Sequence, residues 1–501
     1  MTAALLSHLA LWLATATLPA QTTTTQRPAP KRPAVSRPAA KRPAAPPTRS
    51  ARAKTAAPRT PRPSPPLASA PTAAAPASAP IDPAFVALDR ALPAAGGRIA
   101  AHQLLAAGDS SFVHLALRFG DPIALSGRTA EVAVLRHVLA TRLGRGSEGA
   151  AQMLGPGDPW QLGTDTPGAL AIDVATQTAL LTVTVRAVIE QVRVPLGDAE
   201  VTDAIDQLFR RLLDRRRDAT AAMFAEAARM AQPYPADHPR HVPESRSLPN
   251  WYARVRTAEV RQLHEQLRRA ELRAAVVSGR DAAQAQREVT RATADWTSVT
   301  ATRIPEMFSP PQGERRTVVL DEAGWTGIAL VQSVPIRLDD PDWLPLRLAA
   351  WMLGGSPTAR RFAPSSPGVL GGGAAFDAAM ADRAGVFVLW GAASPAAARP
   401  VEQQWRALLG AALRDGFTDA EVAAAATEWL AARAASRESP RAVARQLVAR
   451  LDAGQTFAGW DAVIEARART LTGRAVSDAV RRQLDPDRFA VVEAGLPAAM
   501  P

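Results

Sequence analysis

One run of residues in this 501-residue chain has the spacing of a metal-binding helix: His137-Val138-Leu139-Ala140-Thr141, followed by Gly146-Ser147. In the motif His-x-x-Glu-His, two imidazoles four residues apart share one helix face and hold zinc, while the glutamate between them activates water. Here His137 stands alone. Ala140 fills the place of the base and Thr141 that of the second imidazole. One imidazole does not hold a catalytic zinc, and alanine takes no proton. The run therefore reads as the remnant of a metal motif, with no catalytic residue and no metal expected in this chain. Without the motif, His137 is an ordinary residue of an amphipathic helix.

Other chemistry fares no better. His238 and His241 lie three apart beside Asp237, but Pro239 and Pro243 make that stretch a loop. Asp165-Thr166-Pro167-Gly168 has the acid of an Asp-Thr-Gly turn, but a proline interrupts it and no second copy exists. There is no Gly-x-Ser-x-Gly elbow and no phosphate loop ending in lysine. The chain has no cysteine, which excludes disulfides, thiolate zinc sites and cysteine nucleophiles. Gly371-Gly372-Gly373 reads as a hairpin or the flexible start of a strand. The Arg-rich run Arg210 to Arg217 lacks interleaved aromatics and reads as a solvated helix face, not a nucleic-acid reader.

The elements that must position these residues begin late in the chain. Residues 1–20 read as a secretory signal, with an apolar core from Leu5 to Leu13 and possible cleavage at Ala14-Thr15-Ala16 or Leu18-Pro19-Ala20. No Lys or Arg precedes that core. Residues 21–80 are a Pro/Ala/Arg-rich basic linker, with repeats such as Lys31-Arg32-Pro33-Ala34 and Lys41-Arg42-Pro43-Ala44, expected to be disordered. It is either a solvated tether or an electrostatic attachment to an anionic envelope surface. The formal charge of +12 belongs to this end. Eleven Lys or Arg and no acid precede Asp82, which leaves 48 basic against 47 acidic groups in the rest. All three lysines (Lys31, Lys41, Lys54) lie there, so Schiff-base chemistry is excluded from the folded part.

The remainder contains a duplication. Val113 to Phe119 alternates like a half-buried strand, followed by Pro122-Ile123-Ala124-Leu125 and helical spacing from Glu131 to Leu139. Ile328 to Gln332, Pro335-Ile336-Arg337-Leu338 and Leu344 to Leu353 repeat the order. The two Pro-Ile-x-Leu segments are about 213 residues apart, and the late strands Arg273 to Val277 and Arg488 to Val492 about 215, near an ordinary domain length. The helices before those late strands start near Thr257 and Thr472. The join falls at Ser309-Pro310-Pro311-Gln312-Gly313. Ala169–Val174 and Ala179–Val185 read as paired strands. Gly416 ends a helix, Thr418 and Glu421 form a capping box, and Ser439-Pro440 opens a further helix. The class is α+β, with a first half over 81–308 and a second over 314–496, each a mixed sheet backed by helices.

This pattern resembles the pitrilysin (insulinase) family of zinc peptidases. Tyr234-Pro235-Ala236-Asp237-His238-Pro239 is similar to the family's Tyr-Pro-x-x-His-Pro loop. The stretch from Thr257 through Gly279 to Trp296 resembles the close of the first half. Asp340 to Gly355, Trp405 to Glu421 and Asp485 to Arg488 resemble successive parts of the second. Together these cover roughly residues 110–495. The resemblance implies two homologous halves that close like a clamshell around an extended peptide. Aligned on Gly146-Ser147, where the family has Gly-Thr, the metal motif retains only His137. Asp203, Asp206 and Asp214 offer no assignable third ligand. Active members also use an Arg and a Tyr shortly after the Leu-Gly-Gly helix. The corresponding segment, Ala363 to Gly373, contains neither, and the only tyrosines are Tyr234 and Tyr252.

The resemblance thus implies a degenerate member: a non-catalytic subunit of an exported, periplasmic or envelope-associated peptidase. Its expected partners are a zinc-bearing pitrilysin-type subunit and extended peptides. No cofactor is expected in this chain, zinc residing only in the partner subunit. The alternatives are a stand-alone peptide-binding or scaffold protein of the envelope, and an active metallopeptidase with an unrecognised site.

Overall fold

The structure is a computed structural model. It describes residues 82–495 apart from 94–96, 155–159, 163–167, 216–217, 245–246, 307, 311, 321–323, 359, 363–367 and 380–381, with the backbone alone for 145–154, 160–162 and 212–215. The segments read as signal and basic linker lie outside the described residues, as does the Asp165-Thr166-Pro167 turn.

Strand β2 (Ser110–Arg118) forms because its side chains supply two faces at once. Val113, Leu115 and Leu117 enter one core, and Phe112 and Ala116 another. It pairs antiparallel with β4 (Ala169–Gln177) and β5 (Glu271–Ser278). The short β3 (Trp160–Leu162) adds to β4, and β1 (Ile99–Gln103) runs parallel to β5. The order is β1-β5-β2-β4-β3. The second sheet comprises β6 (Arg315–Val319), β7 (Thr326–Val334), β8 (Val369–Ala378), β9 (Gly385–Ala393) and β10 (Ala490–Gly495), in the order β6-β10-β7-β9-β8. Taken in chain order, this is the same arrangement, with one parallel pair at the edge and antiparallel ladders elsewhere.

One face of each sheet is covered by helices of its own half. The first sheet carries α2 (Thr129–Leu154), α3 (Leu181–Arg193), α4 (Asp198–Arg215), α7 (Thr257–Leu267) and α8 (Ala282–Ala292). The second carries α9 (Trp343–Ala350), α10 (Ala398–Arg414), α11 (Asp419–Ser436) and α14 (Gly473–Gln483).

The opposite faces are covered by exchange. Helix α5 (Ala219–Ala231), capped by Asp218, belongs to the first half by sequence but packs on β7 and β10 of the second. Its Met223 and Phe224 meet Val331, Val388 and Val492, and Phe224 sits edge-on to Trp390 at 5.5 Å. Helix α12 (Pro440–Ala453), capped by Ser439, lies on β2 and β5 of the first sheet. It buries Val443, Leu447 and Val448 against Phe112, Ala275 and Val277. Each such side chain contributes roughly 1.5–3 kcal/mol as an upper estimate. The segments read from the sequence as two halves are therefore interlocked through these two helices.

The α12 joint is also ionic. Asp173 of β4 lies opposite His114 of β2 and is fully buried. His114 Nδ1–H donates to Asp173 Oδ1 at 2.7 Å, while Arg445 and Arg441 of α12 reach Oδ2 at 2.5 and 3.2 Å. The mirror arrangement holds Asp452 of α12, which receives Arg118 of β2 and Arg273 of β5, each at 3.2 Å. Each carboxylate is thus gripped by two guanidinium groups from the facing element. Burial would raise the Asp173 carboxyl, but the hydrogen bond and charge of His114 with the charge of Arg445 outweigh it and hold it below the usual carboxylate value. At Asp452 burial prevails over Arg118 and Arg273, and the carboxyl is raised.

One reading from the sequence needs correction, and another resolves between its alternatives. Residues 179–185 are not a strand: Thr178–Leu180 is a single 3-10 turn and Leu181 opens α3. The β-branched run Thr182 to Val185 suggested a strand, but Leu181, Val185, Val188, Ile189 and Val192 are the buried positions, and that spacing is helical. Gly371-Gly372-Gly373, read as a hairpin or the start of a strand, is the latter: it lies near the start of β8, after a register irregularity between Val369 and Gly371. A Cβ on Gly372 would fall 2.5 Å from the Phe362 ring. The spacing of the Pro-Ile-x-Leu segments also differs from that of the strands. In the first half the segment is a 3-10 turn three residues beyond β2, whereas in the second it follows β7 directly.

The depressed Asp173 value gives a testable sign. Its stabilising contribution is present above the unfolded-state pKa and is lost as pH falls below about 4. Asp173→Asn should cost about 3 kcal/mol at neutral pH and flatten the decline of stability below pH 4. Urea unfolding of both proteins across that range checks this.

Candidate functional site

Helix α2 presents Val134, Leu135, Val138, Leu139 and Leu143 to the first core, a stripe that explains why this segment is helical. His137 and Thr141 lie one turn apart on the flank facing α4. His137 is only 8% exposed, Thr141 is half-buried and Ala140 is exposed. Across the seam the partner of His137 is Gln207 of α4, whose Oε1 lies 2.9 Å from Nε2. The amide oxygen is an acceptor, so Nε2 carries the proton. Thr141 donates its hydroxyl to the His137 carbonyl at 2.9 Å, within its own helix.

The next residue, Arg142, is buried and holds the seam together. Its Nε and Nη2 form a bidentate pair with Glu200 of α4 at 2.9 and 2.6 Å. Its Nη1 donates to the carbonyl of Val194 at 2.6 Å, and Nη2 to that of Pro195 at 2.7 Å. Those carbonyls follow the C-terminus of α3, where a cation is favoured. Between Thr141, Arg142, Asp203 and Gln207 remains a cavity of ≈ 20 Å³, room for about one water.

A zinc ion, which the resemblance places at this motif, does not fit these residues. The single imidazole nitrogen that faces the seam is protonated toward an amide. Thr141 is spent on the backbone. Ala140 offers no base, and the Glu200 carboxylate is neutralised by Arg142. What the arrangement does is fasten α2 to α3 and α4.

Gln207 was not identified from the sequence, because a neutral amide on a charged helix carries no signal without a spacing rule. His114 and Asp173 were also missed, although a polar residue inside an otherwise apolar strand, as in Val113-His114-Leu115 and Ile172-Asp173-Val174, is such a signal. Of the acids considered as ligands, Asp203 lines the small cavity and Asp206 is exposed, while Asp214 is described only as backbone.

The Tyr-Pro-x-x-His-Pro loop is a structural tie. Tyr234 stacks on His238 at 4.4 Å, and His241 stacks on Trp251 at 5.6 Å. Nδ1 of His238 accepts from the Arg240 amide, and Nδ1 of His241 meets the Tyr234 carbonyl at 2.8 Å. Burial, with the charge of Arg240, lowers the His238 pKa. Buried Arg240 then reaches Glu306 at 3.1 Å and the Ile304 carbonyl at 3.0 Å, fixing the connection between the halves.

In the second half, helix α9 ends in a wide turn, Trp351–Gly355, pressed onto β8. A Cβ on Gly354 would lie 2.7 Å from the Ala374 amide and from the Trp405 ring, which accounts for the Leu-Gly-Gly sequence. Just beyond, Glu428 accepts from Trp351 Nε1 at 3.1 Å and from the hydroxyls of Ser356 and Thr358. Arg361 covers the Phe417 ring and pairs with Glu421 at 2.7 Å. Residues 363–367, part of the segment without Arg or Tyr, lie outside the described residues.

Residues 254–428 match the family model described as the peptidase M16 inactive domain, a single stretch running from the close of the first half into α11. Several solved structures are similar in fold. The peptidase M16 inactive domain from Pseudomonas fluorescens is 16% identical, with a TM-score of 0.60 over 80% of this chain and 95% of that one. A protease from Helicobacter pylori is 14% identical, with a TM-score of 0.63 over 79% and 96%. The periplasmic protease PqqL from Escherichia coli is 11% identical, with a TM-score of 0.56 over 80% of this chain but 44% of that one. No curated protein matches by sequence. Residues 254–428 are thus similar to the inactive domain of the M16 peptidases, and the fold is that of the solved M16-type structures.

The geometry ranks two substitutions in the seam. His137→Ala should cost no more than about 1 kcal/mol, the net worth of one hydrogen bond. Arg142→Ala strands Glu200 and the end of α3 and should cost about 3 kcal/mol. Equal costs in urea unfolding would contradict the assignment of Arg142 as the fastening residue.

Proposed function

We propose that this chain is a non-catalytic subunit of an exported pitrilysin-type zinc peptidase, forming part of a clamshell chamber that holds extended peptides. The observation that carries the reading is the α2–α4 seam, where His137, Ala140 and Thr141 stand in the remnant of the metal motif and a His137–Gln207 hydrogen bond and an Arg142–Glu200 pair bind the helices. The match to an inactive peptidase domain supports it. The proposal includes descent of the two halves, 81–308 and 314–496, from one unit, supported by their common strand order.

Interlocked halves make a chamber between the two sheets of one chain a poor reading. The chamber would instead close between this chain and a second, zinc-bearing one. PqqL, of which the match covers 44%, has room for two such units in one chain. Export is supported by the signal-like residues 1–20 and by the periplasmic description of PqqL. The basic linker 21–80 would place the subunit on an anionic envelope surface.

Affinity purification from the native host, followed by mass spectrometry, should recover a stoichiometric partner with an intact His-x-x-Glu-His. The isolated chain should contain no zinc and show no chelator-sensitive peptide cleavage. A monomer that binds peptides without a partner would move the reading to a stand-alone binding or scaffold protein. Zinc near one per chain with chelator-sensitive cleavage would overturn both.

A further inference from the structure

The first described helix, α1 (Pro83–Ala91), is appended to the fold rather than built into a sheet. It is capped by Asp82 and buries one stripe, Phe85, Leu88 and Ala91. Its bed is composite. Ala100 of β1 comes from the first half, while Leu447 and Val448 of α12 and the Phe457 loop come from the second. Two polar contacts fix the pose. The Asp89 carboxylate accepts the amides of Phe457 at 2.5 Å and Ala458 at 3.0 Å. The Arg437 guanidinium, held by Glu465 at 2.7 Å, lies over the Phe85 ring at 4.8 Å. The bed therefore reads an aromatic residue, a leucine three positions on and an acid next to it, all on one helical face.

We propose that this bed is a helix-binding groove and that α1 is its exchangeable resident, a staple laid across the joint between the first sheet and α12. A nine-residue helix does not persist alone in water, so α1 is helical only while docked. Tethering to β1 by residues 92–98 raises its effective concentration and keeps the groove filled. A competing amphipathic helix that presents an aromatic residue, a leucine and a carboxylate at the same spacing would take its place. The inference is independent of the peptidase-subunit reading, because it uses only the packing of α1.

The test uses the full chain. In Phe85→Ala/Leu88→Ala the resident helix loses its anchors and the groove is vacated. A fluorescein-labelled peptide of residues 82–93 should bind this variant at least about tenfold more tightly than wild type by anisotropy, since the tethered competitor is gone. A peptide carrying Asp89→Ala should bind about tenfold more weakly than the parent peptide. Equal binding of the parent peptide to variant and wild type would overturn the proposal. So would loss of cooperative unfolding in the variant, which would make α1 part of the core. The milder Asp89→Ala in the full chain supplies a second readout. Hydrogen exchange should speed up at 440–460 while β7 and β9 stay protected. Equal loss of protection in both sheets would also overturn it.

Discussion

A sheet whose strands are apolar on both faces needs two covers, and here each half makes only one of its own. The exchange of α5 and α12 supplies the others, and the rest of the structure depends on it. The two joints are built differently. The α5 joint is apolar and uses Phe224 against Trp390. The α12 joint adds four arginines and two carboxylates in reciprocal grips. Buried charges contribute little net stability when paired but penalise any misplacement strongly. The ionic joint therefore fixes the position of α12 on its sheet, while the apolar joint relies on shape.

The same economy of parts is seen at the motif helix. Where a metal centre needs unsatisfied donor atoms aimed at one point, the α2–α4 seam has its donors and acceptors paired. Gln207 meets His137, Glu200 meets Arg142, and two carbonyls after α3 meet the same guanidinium. Each pairing uses a group that a metal would need and fastens the helices instead.

Much of the local structure was legible in the sequence. The strand around Val113 followed from apolar alternation, those around Ile328, Val276 and Val491 from short apolar runs in a repeated order, and the helix ends at Gly416, Thr418 and Ser439 from capping chemistry. Helix α3 was misread because β-branched composition outweighed a spacing that is plain once the buried positions are known. The exchange was invisible, because it joins segments hundreds of residues apart and neither helix carries a pattern that names its sheet. His137 was found because a motif exists for it. Gln207, Arg142 and Asp173 act through partners on other elements, and no periodicity within one element reveals them.

The crossed helices also set an order of events during synthesis. The first sheet's uncovered face, with Phe112, Ala275 and Val277, waits for Val443 to Val448, which are made more than 160 residues after β5. Until then it presents bare apolar surface, and α5, already made, has no sheet to cover. Contacts of such separation slow folding and prolong the exposure of sticky intermediates. Because each of the two crossing helices covers the other segment's sheet, neither half offers a natural point at which to cut the protein in two.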